Sequence, residues 1–307
     1  MNIVFMCNSD FAIPSLDILY KQQYNIVGLL TKKNSKFNTK NSFYRIIKKY
    51  CDDKNINFIT YEYLNFNYSL INQLKHLRPD IFIVISFEIL PSIIFQIPKK
   101  GSINLHPSLL PKYRGAAPIN WAIINGEKNT GLTTFFINNK IDQGDIISQI
   151  NIEISKYDNY STLYEKLKYL GANLIVKSIN KIYHDNFKGI QQSFCKKNDI
   201  NFIAPKIFPK DCWINWNSNC KNIIHFINGL SMYPGARTIF ENTIMKIFKA
   251  DYNIVKHYIK PGTINTDYKN FIKIASLDGY INIVELQISG RKKMNIKNFI
   301  IGYYKNR

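Results

Sequence analysis

The segment DIFIVIS, residues 80–86, constrains the fold more than any other stretch of this chain. Its five central residues, Ile81–Ile85, are all apolar, so a strand formed here has no side that suits water. Such a strand lies inside a sheet that is covered on both faces, as in parallel α/β proteins. The run is also far too short to cross a membrane as a helix.

Strand-like and helix-like segments alternate on both sides of this stretch. We predict strands at Asn2–Met6, Asn25–Leu30, Asn57–Thr60, Ser102–Leu105, Leu132–Ile137 and Ile146–Ile152. We predict helices at Phe11–Lys21 (with Asp10 as N-cap), Phe43–Cys51, Tyr68–Leu77, Ala117–Asn125 and Tyr160–Tyr183. This alternation predicts an open, mostly parallel sheet with right-handed crossovers. The first strand-to-helix turn, CNSDFA, has no glycine, which argues against dinucleotide binding.

The pattern changes after about residue 190, where the chain becomes polar and then gives short strand-like segments. Asp278-Gly279 stands between two of these segments, Phe271–Leu277 and Tyr280–Ser289, and predicts a hairpin. A small all-β domain is therefore expected in this part of the chain.

The predicted fold class is α/β: a Rossmann-like, mostly parallel sheet domain followed by a small, OB-like β-barrel domain. We assign residues 1–190 to the sheet domain, 191–204 to a linker and 205–307 to the barrel. Met1–Pro14 lacks the features of a signal peptide, so we expect a cytoplasmic protein.

The formal net charge of +20 is concentrated in two places. Residues 204–307 hold 16 Lys or Arg against six Asp or Glu, and residues 31–50 hold seven basic residues and no acid. Local positive density of this kind indicates nucleic acid as the partner. The alternative is a solvated lysine surface that reflects composition, because only six of the 41 basic residues are Arg.

The five cysteines are scattered, and no Cys-x-x-Cys or histidine pair has metal-ligand spacing. We expect free thiols and no metal.

The strand at Ser102–Leu105 carries the first residues that indicate chemistry. Asn104 and His106 share one face of it, because side chains alternate along a strand. Both lie at its carboxyl end, where open sheets place their sites. A single histidine at such a place can equally be a structural residue.

A loop at residues 142–145, Asp-Gln-Gly-Asp, follows the next strand. It suits a plain β-turn, but a loop folded toward His106 would let Asp142 orient the imidazole. An amide, an imidazole and a carboxylate around one point suit attack by an amine on an activated carbonyl. Ser108 as a nucleophile is disfavoured, because it lacks the Gly-x-Ser-x-Gly elbow.

These motifs together resemble those of the folate-dependent formyltransferases: NLH (104–106), SLLP (108–111), RGAAPI (114–119) and DQGD (142–145). Further stretches resemble the members that act on methionyl initiator tRNA: DFAIPSL (10–16), RGAAPINWAIINGE (114–127), FIAPKI (202–207), YPGAR (233–237) and SGRKKM (289–294). The resemblance thus runs almost from end to end.

The resemblance implies transfer of the formyl group of 10-formyltetrahydrofolate to the amino group of methionyl initiator tRNA, with no metal. It implies that Asn104, His106 and Asp142 are catalytic. Residues expected to bind the folate are Ser108, Leu109, Leu110, Pro111, Phe87, Ile89 and Leu90. Residues expected to bind the tRNA are Lys32, Lys33, Lys36, Lys40, Arg45, Lys206, Arg291, Lys292 and Lys293. We expect a monomer without membrane contact.

Two stretches depart from the family pattern. Cys7-Asn8-Ser9 stands where the family usually has Gly-Thr-Pro, and the loop KKNSKFNTKN (32–41) has no Pro, Gly or Arg. Lysine contacts phosphate without the bidentate fork of arginine, which bears on how the acceptor end is discriminated. Two other functions remain open: a formyltransferase or hydrolase acting on another substrate, and a basic RNA-binding protein without activity.

Overall fold

The structure is a computed structural model that describes residues 1–33, 42–65, 67–192 and 202–304. The chain divides into two compact units. The first unit comprises Met1–Gly115, Thr130–Ile152 and Tyr164–Ile203, and the second comprises Ala116–Asn129, Glu153–Leu163 and Ala204–Arg307. The boundaries at residues 190 and 205 stay predictions, since two short segments from the first half of the chain belong to the second unit.

The first half of the chain supplies eight strands within the described residues. They are β1 (Asn2–Cys7), β2 (Asn25–Lys32), β3 (Phe58–Tyr61), β4 (Ile81–Ile85), β5 (Ser102–His106), β6 (Arg114–Gly115), β7 (Asn129–Phe136) and β8 (Ile146–Glu153). Seven of these described strands form one sheet in the order β3–β2–β1–β4–β5–β7–β8. Neighbours from β3 to β5 pair in parallel, and β7 runs antiparallel to β5.

All five residues of β4 are buried, so the prediction of a strand covered on both faces is confirmed. The strand order reverses direction at β1, and the carboxyl ends of β1 and β4 lie side by side there, with β5 next to β4. Open α/β sheets bind ligands at such a switch point.

Six helices accompany these strands: α1 (Ile13–Lys21), α2 (Ser42–Lys54), α3 (Tyr68–His76), α4 (Ser92–Phe95), α5 (Pro118–Ile124) and α6 (Tyr160–His184). The prediction that Asp10 caps the first helix is wrong. Asp10–Ala12 form a 3-10 turn before α1, and the Asp10 carboxylate accepts hydrogen bonds from the Tyr164 hydroxyl (2.8 Å) and Lys168 Nζ (2.9 Å) of α6. A pairing between residues so far apart in the chain has no local sequence signal.

The remaining elements are β9 (Ile203–Ala204), α7 (Cys220–Gly229), β10 (Ala236–Phe240), β11 (Thr243–Ile254), β12 (Ile264–Thr266), β13 (Ile272–Ala275), β14 (Gly279–Ile288), β15 (Met294–Asn295) and α8 (Ile296–Tyr304). Strands β10–β11–β14–β13–β12 form a curled antiparallel sheet, a half-barrel, and β15 pairs with β14. The hairpin predicted at Asp278-Gly279 is confirmed by the pairing of β13 with β14. The strand β11 is longer than the short strands predicted, and it bends at irregularities after Ile247.

Four cysteines in the described residues, Cys7, Cys51, Cys212 and Cys220, are buried free thiols. Burial, with Asp52 nearby, raises the pKa of the Cys51 thiol to about 12. Such a thiol stays protonated near neutral pH and is a poor nucleophile.

Candidate active site

Strand β5 carries Asn104 and His106 to the carboxyl edge of the first sheet. The alternate residues Ile103 and Leu105 are buried on the other face, so Asn104 and His106 share a face as predicted. His106 is 5% exposed and Asn104 is half-buried. Within the described part of the chain the Asn104 amide makes no hydrogen bond, so its N–H groups are available to a ligand.

The His106 ring lies between two oxygen atoms. Its Nε2 is 2.8 Å from the backbone oxygen of Tyr113, and because a carbonyl only accepts, Nε2 carries a hydrogen. Its Nδ1 is 3.7 Å from Asp142 Oδ2. The loop therefore folds toward His106, at a distance longer than a direct hydrogen bond but within that of an ion pair. The Tyr113 carbonyl, which was not predicted, is the direct partner.

The Asp142 carboxylate also contacts the backbone of β6. Its Oδ2 accepts a hydrogen bond from the Gly115 N–H at 2.8 Å. Asp142 itself has φ 52°, in the left-handed region, which Asp adopts more readily than most residues. A Cβ at Gly144 would lie 1.5 Å from the Phe136 backbone oxygen, so only glycine fits two residues further along.

Gln192 ties this loop to β6. Its Nε2 donates to the backbone oxygens of Asp142 (3.0 Å) and Gly144 (2.8 Å), and its Oε1 accepts from Arg114 Nε at 3.1 Å. Sequence reasoning missed Gln192, because it lies in the predicted linker and belongs to no motif. A lone glutamine in a polar stretch carries no signal of the loop that it will contact.

Tyr113, whose carbonyl contacts His106, has an unusual backbone conformation. It has φ 61°, which is unusual for a bulky residue and marks a strained turn. Its N–H donates to the Phe202 backbone oxygen at 2.6 Å, and the two rings lie 5.6 Å apart. The strain is held in place by these contacts, and it aims the Tyr113 carbonyl at His106.

Three of the predicted folate residues lie in the segment that follows β5. Ser108, Leu110 and Pro111 are buried, and the Leu110–Pro111 bond is cis. The Ser108 hydroxyl is fully buried and donates to the Lys112 backbone oxygen at 2.7 Å. A buried hydroxyl engaged in this way is poorly placed to act as a nucleophile.

Three of the other four predicted folate residues are more accessible. Ile89 is 72% exposed, whereas Phe87 and Leu109 are partly buried and Leu90 is buried. Phe87 and Ile89 follow β4, which is the neighbour of β5 in the sheet. An exposed isoleucine beside a polar strand end offers an apolar surface for a flat ring.

The turn at residues 7–9, which departs from the family pattern, links neighbouring strands of the first sheet. Asn8 Oδ1 accepts from the Lys32 N–H (2.9 Å) and Thr31 Oγ1 (3.3 Å), and its Nδ2 donates to the Tyr61 hydroxyl (3.0 Å). Asn8 thus joins the carboxyl end of β1 to those of β2 and β3.

The predicted tRNA residues of the first unit are partly neutralised. Lys32 pairs with Glu88, and Lys33 Nζ lies 2.8 Å from Glu62 Oε1. The hydrogen bond and charge of Glu62 raise the pKa of Lys33, and Lys33 lowers the pKa of Glu62 in turn. Arg45 is exposed, and the predictions for Lys36 and Lys40 fall outside the described residues.

The predicted tRNA residues of the second unit are all exposed. Lys206 Nζ lies 5.5 Å from the ring centre of Phe208, and Arg291 lies 5.2 Å from that of Tyr303. Lys293 Nζ is 2.6 Å from Glu285 Oε2, whereas Lys292 has no ion pair with any residue that the structure describes.

In the part of the chain that the structure describes, no three His, Cys, Asp or Glu side chains are grouped so that they could hold a metal ion. No helix in the described ranges combines the length and apolar character needed to span a membrane.

The sequence of the chain matches two models of known families. Residues 1–179 match the model described as formyl transferase, and residues 206–304 match the model described as formyl transferase, C-terminal domain. The chain belongs to the formyl transferase family. Both matched segments agree with the resemblance inferred from the motifs.

Curated relatives of this formyl transferase match it over nearly their whole length. The methionyl-tRNA formyltransferase of Azobacteroides pseudotrichonymphae genomovar. CFP2 is 41% identical over 311 residues, covering 98% of this chain and 95% of its own. The methionyl-tRNA formyltransferase of Bacteroides fragilis is 36% identical over 310 residues, covering 99% and 95%.

Solved structures share the fold of this formyl transferase. HypX from Aquifex aeolicus superposes with a TM-score of 0.66 at 16% identity, over 100% of this chain and 49% of its own. WlaRD, a sugar 3N-formyl transferase solved in the presence of dTDP and 5-N-formyl-THF, has a TM-score of 0.64 at 23% identity, over 95% and 99%.

Proposed function

We propose that this formyl transferase moves the formyl group of 10-formyltetrahydrofolate to the amino group of methionyl initiator tRNA. The product is N-formylmethionyl-tRNA for translation initiation. The observation that carries this proposal is the end-to-end similarity, across both family segments, to proteins named methionyl-tRNA formyltransferase. We place the reaction in the cytoplasm and expect a monomer to perform it.

The folate co-substrate would lie against the edge formed by the ends of β4 and β5. The exposed Ile89 and the partly buried Phe87 suit the flat pterin, and Leu109 continues this surface. The buried Ser108, Leu110, Pro111 and Leu90 would hold that surface rigid, which lowers the entropy lost on binding. The half-buried amide of Asn104 lacks a partner among the described residues, and a formyl oxygen would satisfy it.

The co-substrate supplies a formyl carbon that is attached to nitrogen and open to attack by an amine. Asn104 would donate a hydrogen bond to the formyl oxygen as negative charge develops there. His106, protonated between Tyr113 O and Asp142, would place positive charge beside the same oxygen. Asp142 would hold the ring and help to pass the proton lost by the attacking amine to the folate nitrogen, whose bond to the formyl carbon breaks as tetrahydrofolate leaves.

The tRNA would be held mainly by the second unit, through Lys206, Arg291, Lys292 and Lys293. Phosphate contacts need positive density, and residues 204–307 supply a formal excess of ten charges. In the first unit Arg45, Lys32, Lys33, Lys36 and Lys40 would approach the acceptor end. For Lys32 and Lys33 to contact phosphate, their ion pairs with Glu88 and Glu62 would have to break, or the acids would have to remain near the RNA.

The deciding experiment is formyl transfer from 10-formyltetrahydrofolate to methionyl initiator tRNA, with free methionine and glycinamide ribonucleotide as parallel acceptors. We expect formylated tRNA alone, and loss of the product in Asp142→Ala. Transfer only to a small amine would reassign the substrate. No transfer, with salt-sensitive RNA binding kept, would favour the RNA-binding alternative.

A further inference from the structure

We propose that Gln192 is a positioning residue for formyl transfer, holding loop 142–144 so that the Asp142 carboxylate stays beside His106. The inference rests on the proposed function for its chemistry, but its geometry does not depend on the substrate. Gln192 lies outside both family segments, which end at residue 179 and begin at residue 206.

The amide of Gln192 is almost fully engaged. Its nitrogen donates to Asp142 O and Gly144 O, and its oxygen accepts from Arg114. Gln192 is 5% exposed, so water cannot readily replace these bonds. A flipped amide would set its oxygen against two carbonyl oxygens, so the network selects one orientation.

Loop 142–144 needs the support of the Gln192 hydrogen bonds. Asp142 has φ 52°, a left-handed conformation that is costly for a non-glycine residue and that surrounding contacts must maintain. Apart from Gln192, the polar contacts of Asp142 among the described residues are the bond from Gly115 N–H and the ion pair with His106. Arg114 precedes Gly115 in β6, and the Gly115 N–H donates to the Asp142 carboxylate. Gln192 therefore contacts both the loop that carries Asp142 and the strand that bonds its carboxylate.

A shift of the carboxylate would change catalysis more than binding. Asp142 Oδ2 is 3.7 Å from His106 Nδ1, close to the limit of an ion pair, so a displacement of about 1 Å would leave the imidazole without its carboxylate partner. The predicted folate and tRNA residues lie on other elements and would keep their positions. The expected signature is therefore a loss of kcat at unchanged KM.

The test compares Gln192→Ala, Gln192→Glu and Gln192→Asn with Gln73→Ala, which removes an exposed glutamine of α3. Gln192→Ala should lower kcat about tenfold to a hundredfold, with both KM values within about twofold of wild type. Gln192→Glu keeps an acceptor for Arg114 but turns an oxygen toward the two carbonyls, so it should be at least as impaired. Gln192→Asn retains a buried amide that is one methylene too short, and it serves if the alanine variant does not fold.

Amide hydrogen exchange gives a readout without substrate. Gly115 N–H, which donates to Asp142 Oδ2, should exchange at least tenfold faster in Gln192→Asn and Gln192→Ala, while Gln73→Ala leaves it unchanged. Unchanged Gly115 protection together with unchanged kcat would overturn the proposal. So would kcat losses matched by equal losses in Gln73→Ala or by a rise in KM alone. If wild type formylates no tRNA, the proposed function fails, and the exchange result still decides the role of Gln192.

Discussion

Asn104 and His106 lie two residues apart on β5, yet their surroundings differ. The His106 ring is buried and bonded to Tyr113 O, whereas the Asn104 amide is half-buried and unbonded among the described residues. An amide without an internal partner adds little to folding and is free to act on a ligand. We therefore expect a substitution at Asn104 to change activity much more than stability.

Replacing Asn104 with alanine should lower kcat by about a hundredfold to a thousandfold, because a donor to the developing negative charge is lost. The unfolding midpoint should stay close to that of wild type. Steady-state kinetics and thermal denaturation measure both, with Asn65→Ala, at an exposed asparagine, as the control. Equal activity of the two variants would remove Asn104 from the mechanism.

At the scale of elements, the turn before α1 is fastened to α6 by one carboxylate. Burial raises the pKa of Asp10, but the hydrogen bonds from Lys168 and Tyr164 outweigh it and the net pKa is lowered. A lowered pKa means that this carboxylate contributes stability above its unfolded value, about pH 4, and loses that contribution as pH falls through the folded value.

As pH falls from 5 to below about 4, the free energy of unfolding should therefore decrease less in Asp10→Asn than in wild type. Urea unfolding at a series of pH values measures the difference, with the exposed Asp53→Asn as the charge-matched control. Parallel pH curves for wild type and Asp10→Asn would show that the contacts with α6 do not stabilise the ionised carboxylate.

In the second unit, Arg237 of β10 lies directly opposite Lys246 of β11. Like charges at facing positions destabilise a sheet, and the Arg237 Nε is buried without a hydrogen-bond partner among the described residues. On the same strand, Lys249 lies opposite Glu285, an acid.

Lys246→Gln should raise the free energy of unfolding by about 0.5 kcal/mol, whereas Lys249→Gln should leave it unchanged or lower it. Added salt should shrink the gain, because both side chains are partly accessible and salt partly screens their repulsion. Denaturant unfolding at low and high salt tests both statements, and a destabilised Lys246→Gln would contradict the register argument.

At the scale of the whole molecule, the net charge of +20 suits a polyanion, but individual cations differ in availability. Lys293 already pairs with Glu285, whereas the neighbouring Lys292 has no ion pair with the described residues. An unpaired lysine gains more from a phosphate than one that must first leave a carboxylate.

Lys292→Gln should weaken tRNA binding and lower the slope of log K against log salt by about 0.7. Lys293→Gln should change the slope less, although the two substitutions alter net charge equally. Binding titrations at several salt concentrations measure the slopes, and a larger effect of Lys293→Gln would reverse the ranking.

Much of the fold could be predicted because its signals are local. The apolar run in β4, the alternation of strand and helix, and the Asp278-Gly279 turn each act within a few residues, and the structure agrees with them. The Asp10 cap failed because a long-range partner in α6 competes for the carboxylate, and no local pattern encodes that competition.

The sequence by itself determined the strand that presents Asn104 and His106 on one face, because that follows from the two-residue period of β structure. It also determined the basic character of the second half. Only the tertiary structure decided that Tyr113 O, rather than Asp142, bonds His106, and that Gln192 closes the loop. The Gln192 contacts span 50 and 48 residues, and the His106–Tyr113 contact spans seven but needs the chain after β5 to fold back onto the strand end. Such contacts therefore exist only in the folded molecule.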